Sequence, residues 1–253
     1  MSLGNLVQLH THTQYISNLL MAINYKHLFF DLDHTLWDFE TNSKETLQDL
    51  YLLHKLKERG VTSFEEFFEK YTIHNNKLWQ RYTLGYVKQE ELKWKRMWLA
   101  LLDFKIADEV LAKQLSSNFL EHLPTKTAVF PYTFEILDYL TAKGYQLHLI
   151  TNGFEKVQHA KLERSGLKHY FKNVITSEGS NSVKPSKDIF DYAFKLAKTN
   201  AAESVMIGDN QDADIQGGIN AGMHTVFVNH IDAEQHIEST YVVVDLMGLE
   251  VIF

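Results

Sequence analysis

Two carboxylates, two residues apart, open the chemistry of this chain. Asp31-Leu-Asp33-His-Thr35 follows the short apolar run Lys26-His-Leu-Phe-Phe. Side chains at i and i+2 leave an extended strand on the same side, so one carboxylate can attack an electrophile while the other handles protons. A solvated turn is the competing reading for such a pair in isolation. A second acidic run, Gly208-Asp209-Asn210-Gln211-Asp212-Ala213-Asp214, supplies the hard oxygen donors that suit magnesium, or else caps a helix. Thr151-Asn152-Gly153 offers a hydroxyl and backbone amides for phosphate oxygens, or a plain turn. In Val183-Lys184-Pro185 a proline stiffens the chain beside a lysine, a residue type that is mostly solvated when alone.

These segments need elements to position them. Lys26–Asp31, Leu147–Thr151, Asn173–Ser177, Ser204–Asp209 and Thr225–Asn229 are short apolar runs ending in polar residues, the pattern of buried parallel strands. Phe134–Lys143, stopped by Gly144, and Asp188–Lys198 carry helical periodicity between them. Alternating strands and helices predict an α/β fold, a Rossmann-like parallel sheet with helices on both faces. Ligands of such sheets bind at the carboxyl ends of the strands. Asp31, Thr151, Ser177 and Asp209 would line that edge.

Between the first strand and the rest lies a different block. Lys44–Lys57, Phe64–Trp79, Gln89–Leu102 and Asp108–Leu120 read as amphipathic helices. Residues 41–122 are therefore expected to form an inserted all-helical domain, and 25–40 with 123–253 the α/β core. Residues 1–24 read as a polar leader, disordered or not native to the fold, in which His10 and His12 are a weak metal pair. The chain has 253 residues, a net charge of −7 and no cysteine. Disulfides, thiolate metal sites and cysteine nucleophiles are excluded. The acidic balance argues against a nucleic acid polymer as partner, and no apolar run is long enough to span a bilayer. The expected location is cytoplasmic.

In this order, each at a strand end or in the loop after it, the four segments resemble the motifs of the haloacid dehalogenase-like (HAD) superfamily. Asp31, Asp33 and Thr35 match the first motif, Thr151 the second, Lys184 the third, and Asp209 with Asp214 the fourth. The resemblance runs from about Tyr25 to the C-terminus, and the helical insert is similar to the family's C1-type cap. It implies that Asp31 is the nucleophile that forms an aspartyl-phosphate. Asp33 would be general acid for the leaving oxygen and then base for water. Thr151 and Asn152 would bind phosphate, and Lys184 would steady Asp31 and the phosphoryl oxygens. Magnesium would be held by Asp31, the Asp33 carbonyl and Asp209, with Asp214 acting less directly. Four carboxylates against one lysine would repel a phosphate dianion at low dielectric. A divalent cation, with Asp33 protonated, brings the group to near neutrality.

Asp33 separates the chain from true haloacid dehalogenases, which lack that acid. Phe29-Phe-Asp-Leu-Asp-His-Thr-Leu-Trp-Asp38, Ile150-Thr-Asn-Gly-Phe154 and Asp214-Ile-Gln-Gly-Gly-Ile-Asn-Ala-Gly222 resemble the noncanonical pyrimidine 5′-nucleotidase group. The substrate so implied is a small phosphorylated metabolite, a nucleoside monophosphate, turned over by a monomer or small homo-oligomer. Phosphoglycolate or a sugar phosphate is the alternative substrate, and a noncatalytic binding module the alternative class. The cap would select the substrate. Arg96 is the candidate facing the active site, against a solvated helix face. Trp37 and Phe39 are suited to stack on a base or to pack the hinge. Gly217 and Gly218 are expected to let a helix approach the sheet closely.

Overall fold

The computed structural model of the protein describes residues 25–253; the expectations for residues 1–24 lie outside the described residues. Six strands form one parallel sheet: β1 (His27–Phe30), β2 (Gln146–Thr151), β3 (Phe171–Thr176), β4 (Ser204–Gly208), β5 (His224–Val228) and β6 (Tyr241–Val243). Their order is β3-β2-β1-β4-β5-β6. The chain winds outward from β1 in one direction, then returns to β1 and winds outward in the other. The carboxyl ends of β1 and β4 therefore meet where the winding reverses, the place where such sheets form a crevice. The register pairs Phe30 with Ile207 on one side and with Leu149 on the other.

Both faces of the sheet are covered, so its strands are apolar throughout rather than alternating. Leu28, Phe30, Leu149, Ile207 and Val226 belong to one core, shared with α5 (Thr133–Ala142) and α6 (Glu155–Arg164). Phe29, Ile150, Ile175 and Met206 point the other way, onto Ile189, Phe190 and Ala193 of α7 (Lys187–Ala197). A π-helical turn at Gln211–Ile215 leads into the short helix α8 (Gln216–Asn220) on that second face.

Four helices lie between β1 and α5: α1 (Phe39–Leu53), α2 (Phe64–Thr83), α3 (Gln89–Asp103) and α4 (Glu109–His122). α1 starts earlier than its periodicity suggested, because Asp38 caps it by accepting from the Thr41 N–H at 3.0 Å. Phe67, Tyr71, Met97, Ala100, Leu115 and Phe119 form the interior between these helices. The entry and exit of the insert are tied together. Asp38 N–H donates to Ala128 O at 3.1 Å and Phe130 N–H to Leu36 O at 2.9 Å. The carboxamide of Asn42 bonds the backbone of Ala128 twice, at 2.8 and 3.0 Å.

Among the elements labelled above, β6 and α6 were not anticipated. β6 is three residues long and only Val243 in it is buried, too little for a pattern. α6 buries Gln158, Lys161 and Leu162, a mostly polar face that gives no apolar period. The two glycines of α8 do pack as expected: a Cβ on Gly218 would lie 2.7 Å from Thr225 Cγ2, and one on Gly217 would lie 2.8 Å from the Phe190 ring. Gly218→Ala is expected to lower stability by about 1–3 kcal/mol through overpacking, although alanine gains about 1 kcal/mol in helix propensity. Urea unfolding checks this; an unchanged or higher midpoint would show that helix and sheet part freely.

Candidate active site

The reversal of the winding gathers the acids. Asp31 continues β1, and its N–H still donates to Ile207 O at 2.9 Å. Asp209 continues the neighbouring β4, and the π-helical turn folds Asp214 back beneath both. One carboxylate oxygen from each of Asp31, Asp209 and Asp214 lies within 4.8 Å of the others. Thr35 clamps the two strand ends together: its Oγ1 donates to Asp209 Oδ1 at 2.9 Å and accepts from the Asp209 N–H at 3.1 Å. Asp214 is fully buried and takes the Asn210 N–H on Oδ2 at 3.0 Å. Gly208 makes this possible, since a Cβ there would lie 2.2 Å from Asp214 Oδ2.

Lys184 reaches into this cluster from the loop before α7. Its ammonium donates to Asp31 Oδ1 at 2.5 Å and to Ile150 O at 2.7 Å, and pairs with Asp214 Oδ1 at 2.6 Å. Two of its protons are thus donated in hydrogen bonds, and the contact with Asp214 is an ion pair. Burial alone would push the Lys184 pKa down, but Asp214 and Asp31 outweigh it and hold the ammonium above the usual lysine range. Burial pushes Asp31 up to about 7, with Lys184 opposing and Asp214 reinforcing the rise. Burial likewise pushes Asp209 up to about 7, with Asp31 adding to it. Asp214 is raised by burial against the pull of Lys184. Three desolvated carboxylates thus converge on one ammonium and remain short of positive charge. Hard oxygen donors in that state fit a divalent cation such as magnesium.

A second group stands beside the first. Asp33 is held from α6: Lys161 donates to its Oδ1 at 2.6 Å and Gln158 to its Oδ2 at 2.8 Å. Gln158 also donates to Thr151 Oγ1 at 2.7 Å, and the Gly153 N–H reaches the same oxygen at 3.1 Å. With both lone pairs engaged, the Thr151 hydroxyl proton is free to point elsewhere. Gly153 leaves room for this carboxamide, since a Cβ would lie 2.4 Å from the Gln158 side chain. The Lys161 ammonium sits 4.3 Å from the centre of the Trp37 ring, a cation–π contact. Burial lowers the Lys161 pKa, and Asp33 opposes the fall.

Asp31, Asp33, Thr35, Thr151, Lys184, Asp209 and Asp214 therefore come together, from four separate stretches of sequence. One residue is placed otherwise than expected. The Asn152 carboxamide is engaged at both ends with the Lys184 backbone, donating at 3.0 Å and accepting at 2.7 Å, so its side chain fixes the lysine loop instead of facing a phosphate. Of its two readings Trp37 takes the second, packing in the hinge: it is fully buried and carries Lys161 on its ring. Arg96, on α3, is buried and not on a solvated helix face. Gln158 and Lys161 escaped the sequence reading; their one signal is the polar i, i+3 pair that follows Thr-Asn-Gly-Phe. Phe154 of that segment fixes the cap to the core, stacked on Trp79 at 5.4 Å and enclosed by Leu78, Val87 and Leu92.

With this geometry, the chain belongs to the haloacid dehalogenase-like hydrolase family, whose model matches residues 25–222. It is 32% identical over 228 residues to the pyrimidine 5′-nucleotidase PynA of Streptococcus pneumoniae, covering 89% of this chain and 93% of that one. It is equally 32% identical over 228 residues to the pyrimidine 5′-nucleotidase YjjG of Escherichia coli, covering 88% and 95%. The HAD-hydrolase YfnB of Bacillus subtilis, solved bound to magnesium, superposes with a TM-score of 0.82 at 26% identity over 90% of this chain and 98% of that one. The protein is an enzyme, a hydrolase of this family. No helix among the described residues is long and apolar enough to cross a membrane.

Asp31 and Asp209 titrate higher in the fold, at about 7, than the roughly 3.9 of an unfolded aspartate. The folded state then holds the extra protons, so metal-free stability is fullest near about pH 4 and falls as the pH rises towards about 7. Melting temperatures in chelator should decline across that window, and magnesium should flatten the decline. A melting temperature in chelator that rises from about pH 5 to about pH 7 would contradict this charge balance.

Proposed function

We propose that the protein is a magnesium-dependent phosphomonoester hydrolase that carries the phosphoryl group on Asp31 and acts on nucleoside 5′-monophosphates, pyrimidine ones by preference. The observation that carries the chemistry is the division of labour at the Asp31 carboxylate. Lys184 holds Oδ1, while Oδ2 makes no hydrogen bond among the described residues and is the oxygen available to attack phosphorus. The substrate assignment rests on the two nucleotidases to which most of the chain is similar.

Asp31 attacks in line, and the bond from phosphorus to the ester oxygen breaks. Asp33, oriented by Lys161 and Gln158, gives its proton to that leaving oxygen. It then takes a proton from the water that attacks the phosphoryl group, which frees phosphate and restores Asp31. The Thr151 hydroxyl and the Lys184 ammonium hold phosphoryl oxygens during both displacements. Asp31, Asp209 and the Asp33 carbonyl would hold the magnesium, with Asp214 behind them. The ion's contribution is to offset negative charge that lysines alone do not balance.

In this reading residues 25–40 and 123–253 form the catalytic core and 41–122 a cap that admits and selects the leaving group. YfnB, whose structure is described as revealing interdomain movement, supports a cap that swings. The enzyme would meet its metabolite in the cytoplasm.

The test is phosphate release from UMP, dTMP, phosphoglycolate and sugar phosphates, with magnesium and with chelator. Pyrimidine monophosphates should be preferred, chelator should stop turnover, and Asp31→Asn should lower kcat by more than about 10³-fold. Preference for a sugar phosphate would replace the substrate and keep the mechanism. Turnover that survives complete chelation would remove the metal from it.

A further inference from the structure

Thr35 is fully buried, and the turn around it closes on other atoms. The N–H groups of Leu36 and Trp37 both donate to Leu32 O, and the His34 N–H donates to Trp37 O. None of these bonds serves the Thr35 carbonyl, and a buried carbonyl needs a donor. Its donor comes from far along the chain: Nε2 of the His230 imidazole lies 3.1 Å from Thr35 O. A carbonyl only accepts, so Nε2 carries the proton. The same ring lies flat on Phe130, with centroids 3.9 Å apart and planes 6° from parallel. Phe130 belongs to the chain's return from the helical insert, and its N–H donates to Leu36 O.

His230 lies in the connection from β5 to β6, and this loop grips the neighbourhood of Asp209 from a second side. The Asn229 carboxamide closes the loop's first turn, accepting from the Ala233 N–H at 2.8 Å and donating to Ala233 O at 3.0 Å. Further along, the buried Gln211 side chain donates to Glu234 O at 2.9 Å. It accepts from the N–H groups of His236 and Ile237 at 2.7 and 3.0 Å. Gln211 stands just past Asp209, in the π-helical turn that carries Asp214. Thr35, held by His230, is the residue whose hydroxyl donates to Asp209 Oδ1 and accepts from the Asp209 N–H. The loop therefore reaches Asp209 by two separate routes, through Thr35 and through Gln211. A loop that only joined two strands would need neither, since β5 and β6 already pair along Val226–Val228.

We infer that His230 is a positioning residue for the magnesium site: by holding the Thr35 carbonyl it fixes the turn whose hydroxyl aims the Asp209 carboxylate, and the stack on Phe130 fixes the imidazole. The inference rests on the magnesium reading of the acid cluster and extends it to a loop outside the four motif segments. Thr35 engages Asp209 Oδ1, while Oδ2 makes no hydrogen bond among the described residues and is the oxygen left to face a cation. A turn that loses its hold on the Thr35 carbonyl lets that oxygen drift. Outer-shell partners orient metal ligands in this way, and their loss weakens metal binding by about 10- to 100-fold. Because Phe130 lies in the returning linker, the aim of Asp209 is also tied to the path by which the chain re-enters the core.

Two readouts test this, one of them without metal. In chelator, amide hydrogen exchange at Asp209 reports the clamp directly, since that N–H donates to Thr35. Titration calorimetry gives the magnesium dissociation constant. His230→Phe keeps a ring to stack on Phe130 and removes the donor. It should speed Asp209 exchange and weaken magnesium binding by about 10-fold each, the lower end for an outer-shell partner. His230→Gln, which returns an N–H donor, should bring both within about threefold of the wild type. Tyr25→Phe deletes a hydrogen bond to His224 at the opposite end of β5 and should move neither readout. If His230→Phe does not fold, Phe130→Leu, which withdraws the ring from the imidazole, should shift both readouts in the same direction. Unchanged magnesium affinity in His230→Phe, or in Phe130→Leu where that stands in for it, would overturn the inference and leave the magnesium reading in place. Equal weakening in His230→Phe and Tyr25→Phe would also overturn it, as a general loss of stability. A wild type that binds no magnesium would remove that reading, and the inference with it.

Discussion

Three carboxylates share one buried edge of the sheet, and a single ammonium lies against two of them. The packing of Asp31, Asp209 and Asp214 depends on Lys184, which donates to Asp31 and the Ile150 carbonyl and forms an ion pair with Asp214. Much of the surrounding structure serves that one contact. The reversal of winding puts β1 beside β4. Thr35 locks their ends. Gly208 yields space to Asp214, and Asn152 holds the loop from which Lys184 projects. Even so the cluster stays short of positive charge, which is the physical reason it suits a divalent cation.

The sheet and the acids were legible because they combine two strong signals. Apolar runs of strand length mark β1 to β5, and the polar residues ending them fall on one edge once the sheet is parallel. What escaped is the second group around Asp33. α6 turns Gln158 and Lys161 inward, so the residues that make it functional also erase the apolar period by which a helix is read. Counting one lysine instead of two left a positive charge out of the balance: Lys161 stands against Asp33 as Lys184 stands against Asp31. For Trp37 the residue type left stacking and hinge packing open, and only the fold, with Lys161 on its ring, selects the second.

The clustered acids and lysines all come from the α/β part of the chain. They stand at strand ends, on α6, in the π-helical turn and in the loop before α7. A core of this kind is indifferent to what is attached beyond the ester oxygen. The contact of Phe154 with Leu78, Val87 and Leu92 joins the helical insert to the core directly beside the Thr151 segment.

The paired linkers have a consequence for how such a protein changes over time. Because Leu36–Asp38 and Ala128–Phe130 are bonded to one another, the chain leaves the core and returns to it at a single point. The insert closes on itself, and the sheet would form the same contacts around a longer, shorter or differently built excursion, since loop closure depends only weakly on length. Replacement of everything between those two short segments is thus a small step for folding and a large one for substrate choice. The ribbon at residues 36–38 and 128–130 is a natural splice point, at which one catalytic core could be joined to many different selectors.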